Sequence, residues 1–345
     1  MPLPSHSQPI GSLSPSRLDR LECPARVAFE QAGPAAPQPP MGPSGMGEAV
    51  HLAMEHGVSG SPAGQAWADA RDTMLQLGFD PDLQPNGRKT YRRFERTLAL
   101  TLVRIEDFGG AKLLPEERIV SHDGLLEGQP DLVLVNSHGF LVVDYKTGFV
   151  VVDGETTAKY VRQLELYAYL VSERHHLDNG SAVLISLRDG LVEVDVCTAA
   201  RSAAAALARE VRETYNDRCP GPQPPNPSLD NCMYCPHSCR CDAFWSTVNQ
   251  TWVPSFGHAV GGTITSAPEI SASGRAAMRV EGVQGTNHSG PLIIGNLPAA
   301  AVADAAVGSS VAACHLREQS SDPLVLVSSD RTVLEIDGYE ATHGP

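Results

Sequence analysis

Residues 128–148, GQPDLVLVNSHGFLVVDYKTG, constrain this chain more than any other segment. Two short apolar runs, 132–135 and 140–143, flank the turn signal Ser137-His138-Gly139. An antiparallel hairpin is predicted. Asp131 opens its first strand, and Asp144 and Lys146 close its second. Side chains alternate along a strand, so residues 144 and 146 leave one face. The antiparallel return brings Asp131 close to that pair. Two carboxylates and one ammonium then converge at the mouth of a sheet. Carboxylates are hard oxygen ligands for Mg²⁺ or Mn²⁺. A cation held there polarises a phosphate and lowers the pKa of bound water, and an ammonium positions that water or offsets developing charge. The plain alternative is a surface hairpin carrying a salt bridge, because acidic and basic residues flank many strands.

Around this hairpin the hydrophobic period changes along the chain. Residues 11–30 are expected to form one helix capped by Ser14 or Ser16, with Leu18, Leu21 and Val27 inward. Residues 31–46, rich in Pro, Gly and Ala, are expected to be loop. Helices are predicted over 47–56, 62–79, 88–105, 157–176 and 199–217. The runs 117–123, 130–136 and 139–145 read as a three-stranded antiparallel meander, and 181–187 with 190–197 as a hairpin. Arg88, Lys89, Arg92, Arg93 and Arg96 fall on one side of their helix, where they serve either as phosphate contacts or as a solvated basic face.

The segment 128–148 resembles the motifs of the RecB-like branch of the PD-(D/E)xK nucleases. Gly47-Glu48-Ala49-Val50-His51 matches that branch's helical G-x-x-x-H, and Gln163 with Tyr167 matches its Q-x-x-x-Y. The resemblance implies a restriction-endonuclease-like α/β core, with a mixed central sheet flanked by helices. It implies that His51, Asp131 and Asp144 hold a divalent metal with the carbonyl of Tyr145. Lys146 would assist the attacking water, and Gln163 and Tyr167 would align the substrate. Read alone, a helical histidine is more often ordinary surface or core.

Four of the eight cysteines lie between residues 232 and 241. In a cytosolic chain such crowding points to metal ligation rather than disulfides. Cys232, Cys235 and Cys241 resemble the C-x2-C-x5-C of iron–sulfur nucleases of CRISPR adaptation and of AddB-type domains, in which a remote N-terminal cysteine completes a [4Fe–4S] site. Cys23 stands where that pattern places it. The cluster would staple the chain's first helix to the end of the nuclease domain. Cys239 leaves a second reading open: a local Zn²⁺ site of Cys232, Cys235, Cys239 and Cys241, with His237 a further candidate ligand. Cys197, Cys219 and Cys314 read as plain thiols.

The resemblance covers about residues 14–245. Beyond it, five β-like runs (259–266, 275–284, 291–296, 309–317 and 324–336) enclose the helical stretch AAAVADAAVG between the third and the fourth. That is the order of an OB-fold. Two domains are therefore expected, a nuclease domain over 1–247 and a small β-rich, OB-like domain over 248–345. From residue 251 the tail holds four Arg against nine Asp and Glu, with Trp252, Phe256 and Tyr339 as its aromatics. It fits a protein-docking role better than a strand-gripping one.

Charge sets the last limits. The net charge of −14, with only four lysines, argues against a protein that coats nucleic acid by bulk charge. No apolar run reaches the length of a membrane span, and the N-terminus lacks a secretory pattern. A cytoplasmic location is expected. The reading is a metal-dependent nuclease acting on DNA ends or single strands in repair, recombination or foreign-DNA defence, with a helicase or other protein as partner through its tail. The alternative is an iron–sulfur adaptor subunit with little activity alone.

Overall fold

The computed structural model describes residues 4–33, 42–84, 86–286, 290–329 and 331–337. The chain forms two compact units: one of residues 9–19 and 37–217, the other of residues 1–8, 20–36 and 218–345. In chain order the principal helices are α1 (Pro15–Arg20), α2 (Pro24–Ala32), α3 (Gly42–Val58), α4 (Ala63–Gln76), α5 (Gly87–Phe108), α6 (Ala158–His175) and α7 (Thr198–Asn216). The single helix expected over 11–30 is two helices. Proline has no N–H and its ring clashes with the preceding turn, so Pro24 ends one helix and starts the next. Helix α3 begins at Gly42, inside the stretch expected as loop. Residues 34–41 of that stretch lie outside the described residues.

The first unit is built on a five-stranded mixed sheet of β1 (Lys112–Pro115), β2 (Leu132–Asn136), β3 (Gly139–Lys146), β4 (Gly180–Ser186) and β5 (Gly190–Val194), in that spatial order. The β3–β4 pair is parallel and the others are antiparallel. The parallel pair follows from connectivity: α6 supplies the crossover that parallel neighbours need. The meander expected over 117–145 is corrected in its first strand. Strand β1 lies earlier, at 112–115. Glu116 then takes φ 49°, which turns the chain off the sheet edge, and Ile119–Val120 pairs only with Glu127–Gly128 in a separate ribbon.

Alternation along β3 decides the two faces of the sheet. Leu141, Val143 and Tyr145 join Leu132, Leu134, Val183 and Ile185 in a core with Val50 and Met54 of α3, Trp67 of α4, and Phe94 and Leu98 of α5. The large buried rings contribute most here, because a fully buried apolar side chain is worth about 1.5–3 kcal/mol. Helix α5 buries Thr90, Phe94, Thr97, Leu98 and Thr101, a helical stripe, and turns its basic residues away. On the other face, Arg201 of α7 lies over the Phe140 ring, 5.5 Å from its centroid.

In the second unit the strands are β6 (His258–Ile264), β7 (Arg275–Gly285), β8 (Gly290–Pro298), β9 (Ser310–Ser321), β10 (Leu324–Val327) and β11 (Val333–Ile336). The order β6-β7-β8-β10-β9 returns to β6, which closes a five-stranded barrel. Strand β8 runs parallel to β10, and β11 pairs with β9 outside the ring. Closure removes the exposed edges that an open sheet would present. Val260, Met278, Val280, Ile294, Val311 and Leu326 fill the interior. The barrel is compatible with the OB-like expectation, with two corrections. The last β run is two strands, and the expected alanine-rich helix is only a 3₁₀ turn, Ala299–Val302. Val302 is the single buried residue of that turn, too little apolar surface to anchor a longer helix. The segment 242–256 packs Phe244, Trp245, Trp252 and Phe256 against Ala259, Ala312 and Cys314 of the barrel wall. Tyr339 lies outside the described residues. No helix of the described residues is long and apolar enough to cross a membrane.

Candidate active site

All the groups singled out by the carboxylate–lysine reading belong to the first unit. Asp131 sits just before β2. Its Oδ1 accepts a hydrogen bond from His51 Nδ1 of α3 at 3.0 Å, and its Oδ2 accepts one from the backbone N–H of Tyr145. The hairpin thus ties one carboxylate to the end of the neighbouring strand. Asp144, 2% exposed, points off the opposite side of β3 from Tyr145. Lys146 Nζ lies 2.6 Å from Asp144 Oδ2. Gln163 Nε2 of α6 donates to Asp144 Oδ1 and to the Tyr167 hydroxyl, both at 3.2 Å. The i, i+4 spacing puts Gln163 and Tyr167 on one face of α6, where Gln163 reaches the carboxylate and Tyr167 reaches Gln163.

The structure adds Glu116, which the sequence reading did not single out. Ligand atoms of His51, Glu116 and Asp131 all lie within 4.8 Å of one another. Glu116 occupies the kink after β1, and its backbone N–H donates to the Asp131 carbonyl at 3.2 Å. The available signal was weak: an acidic pair, Glu116-Glu117, at the end of a short apolar run. Asp144 is not part of this trio, since Lys146 and Gln163 hold its carboxylate. Of the ligand set expected from the resemblance, His51 and Asp131 come together with Glu116, and Asp144 stands beside them, close enough for its charge to act on His51.

Electrostatics mark the cluster as short of positive charge. Glu116 is pushed up to about 7, first by burial and then by the Asp131 charge. Asp144 is pushed up to about 6 by burial and by Asp131, with Lys146 opposing. Burial pulls His51 and Lys146 down, but the neighbouring carboxylates outweigh it and both end above their ordinary values. Three carboxylates crowded around one imidazole and one ammonium form a donor set that a divalent cation would relieve. The carboxylate oxygens suit Mg²⁺ or Mn²⁺, and the imidazole nitrogen favours Mn²⁺ of the two.

Gly128 explains the first letter of its G-x-x-D motif. A Cβ there would lie 2.8 Å from Tyr167 Cε1 and 2.9 Å from Leu170 Cδ1, so only glycine lets α6 approach. Gly47 has no such constraint. Its nearest neighbour would be Thr147 Oγ1 at 3.8 Å.

Cys23 and the cysteines of the 232–241 cluster belong to the second unit. Cys23, Cys232, Cys235 and Cys241 line one pocket with Phe29, His237 and Phe244. Cys239 does not face that pocket. It is fully buried, and its Sγ lies 3.1 Å from Cys314 Sγ on β9. His237 stacks on Phe29 with ring centroids 5.3 Å apart. Burial pushes the thiols of Cys232 and Cys235 up to about 12 and about 11. Without a metal these sulfurs would stay protonated.

A family model described as the PD-(D/E)XK nuclease superfamily matches residues 12–242. No curated protein matches the chain. Among solved structures the chain is similar to SSO0001, at 17% identity and a TM-score of 0.32, covering 69% of this chain and 89% of that one. It is also similar to the exonuclease LHK-Exo in complex with dAMP, at 12% identity and a TM-score of 0.24, covering 50% of this chain and 92% of that one. A further structure of that alkaline exonuclease, from Laribacter hongkongensis, matches at 12% identity and a TM-score of 0.23, covering 49% and 93%.

Proposed function

Because the chain belongs to the PD-(D/E)XK nuclease superfamily, we propose that it is a metal-dependent deoxyribonuclease of the RecB-like branch, acting on DNA ends or single strands. The observation that carries this reading is the convergence of His51, Glu116 and Asp131 beside the Asp144–Lys146 pair. His51, Asp131 and Asp144 would hold Mg²⁺ or Mn²⁺ with the carbonyl of Tyr145, and Glu116 joins them as a ligand. Bound there, the cation supplies Lewis acidity toward the phosphate and lowers the pKa of a coordinated water. The chain's own groups do the rest. Lys146 positions the water and offsets charge at the scissile phosphate. Gln163 holds the Asp144 carboxylate in orientation, and Tyr167 backs Gln163. As domains we propose a nuclease domain over 1–247 and an accessory barrel over 248–345; the family model over 12–242 supports the first and the closed barrel the second.

For the cysteine pocket we favour a [4Fe–4S] cluster on Cys23, Cys232, Cys235 and Cys241. Four thiols in an apolar pocket fit such a cluster. Cys239 turns toward Cys314, which weakens the local zinc alternative. The acidic barrel fits a protein partner, such as a helicase in repair, recombination or foreign-DNA defence.

The test is anaerobic purification followed by cleavage of end-labelled single- and double-stranded DNA with Mn²⁺ or Mg²⁺, beside Asp144→Ala. Metal-dependent cleavage that vanishes in the variant is expected. An intact, cluster-loaded protein that cuts neither substrate would end the reading.

A further inference from the structure

We propose that the exposed ring of Phe149, the Arg188 guanidinium and the basic stripe of α5 form a track that carries an unpaired DNA strand to the carboxylate–lysine centre. The inference rests on the nuclease reading above and adds the residues that hold the strand.

Phe149 follows Lys146 by three residues, and 64% of its surface is exposed. An aromatic ring left in water costs free energy unless something covers it. This ring does not ride on a loose loop. Ser186 Oγ donates to the Gly148 carbonyl at 2.8 Å, and Asp189 Oδ2 accepts from Val150 N at 2.6 Å and from Val151 N at 3.2 Å. These bonds lace the segment after Lys146 to the turn after β4. From that turn Arg188 lies over the Phe149 ring, 5.5 Å from its centroid. A pinned aromatic ring with a guanidinium beside it is the arrangement on which a nucleobase stacks.

Arg88, Arg92 and Arg96 recur every four residues on the face of α5 opposite its buried stripe, and all three are exposed. None of them pairs with a carboxylate among the described residues. The one acid beside them, Glu95, accepts a hydrogen bond from the Tyr91 hydroxyl at 2.9 Å. From Arg88 to Arg96 the helix rises about 12 Å, the length of three or four phosphates in a stacked strand. In a chain of net charge −14, a row of unpaired cations is an exception that calls for an anion.

Arg93 links the two features. Its neighbour Phe94 packs in one core with Leu187, the residue before Arg188, and the Arg188 charge reaches Arg93. Like charges held together are relieved by an anion between them, and a backbone phosphate has the right chemistry. The stacking surface selects an unpaired strand, because bases inside a duplex already stack on each other.

The full-length protein is tested in EDTA, where cleavage is absent, with a fluorescent oligothymidylate and a blunt duplex as probes. Anisotropy is followed across a range of salt concentrations. Phe149→Ala is expected to weaken oligothymidylate binding about tenfold with the salt slope unchanged, and to affect the blunt duplex far less. Phe149→Trp should retain full binding. Replacing Arg88, Arg92 and Arg96 together by Ala should lower the slope of log K against log salt by about 2. If Phe149→Ala binds as the wild type does, or if the triple variant keeps the wild-type slope, the track is wrong. Cleavage by the wild type with Mn²⁺ is scored separately. A protein that cuts DNA but ignores these substitutions refutes the track alone, and one that binds as expected but never cuts refutes the nuclease reading alone.

Discussion

Lys146 Nζ lies 2.6 Å from Asp144 Oδ2, and the residue between them, Tyr145, points the opposite way into the helical core. One strand therefore anchors itself in the apolar layer and presents an ion pair on its other face. A two-residue period requires this arrangement. The pair is nearly buried, so each member controls the charge of the other.

Lys146→Ala should lower the cleavage rate by at least about a hundredfold, since an aligned charge at the reacting phosphate is lost. The fold should survive. Asp144, already held up to about 6, takes a proton more readily once the ammonium is gone. Single-turnover cleavage beside a melting curve checks both parts. Unchanged turnover would remove Lys146 from the mechanism.

Metal binding should depend on pH through Glu116. Its carboxyl stands at about 7, raised by burial and by Asp131, so below that pH a proton competes with the cation. Affinity for Mn²⁺ should fall as the pH drops from 8 to 6, and Glu116→Gln should reduce the dependence to the share that His51 and Asp144 contribute. With no metal bound, Glu116 by itself destabilises the fold as the pH rises from its ordinary 4.5 to about 7, because the folded state holds the proton more tightly than the unfolded chain does. Calorimetric titration in buffers of different ionisation enthalpy would count the protons released. No release near pH 6.5 would count against Glu116 as a ligand.

Gly128→Ala should damage the site from behind. The new methyl meets the Tyr167 ring and Leu170 at under 3 Å, so α6 must shift and Gln163 moves with it. Overpacking of this kind costs about 1–3 kcal/mol. A lower melting temperature with a reduced kcat is expected. A lower melting temperature with an unchanged kcat would show that α6 does not position the catalytic carboxylate.

The cysteines separate by substitution. Cys23→Ser should abolish iron incorporation, although residue 23 lies more than two hundred positions from its partners. Cys239→Ser should leave iron content intact, because that sulfur faces Cys314 at 3.1 Å and not the shared pocket. Iron and sulfide analysis of the two proteins decides the matter. The opposite pattern would restore the local four-cysteine site.

Much of this architecture is legible in the order of the amino acids. Local patterns carry helices α4, α5, α6 and α7, the hairpin β2–β3 and the first four β runs of the barrel, because helical and strand periods are written in consecutive residues. The Asp144–Lys146 face and the Gln163–Tyr167 face follow from the same arithmetic. The exceptions lie where local pattern competes with backbone constraint. Pro24 splits a helix whose apolar spacing runs straight through it. Glu116 turns the chain off the sheet with φ 49°, a conformation that a glutamate's sequence context does not announce.

The sequence by itself determined which residue types were available for metal chemistry and in what local spacing, since periodicity and motif are properties of neighbours along the chain. Only the tertiary structure decided which of them meet. Glu116 joins His51 and Asp131 because a strand edge, a helix and a hairpin end at one place. Cys23, rather than Cys239, shares a pocket with Cys232, Cys235 and Cys241 because α2 packs against that segment while Cys239 turns inward to the barrel. Such contacts span many tens to hundreds of residues. They are set by how buried faces fit together, and no stretch of consecutive residues records that fit.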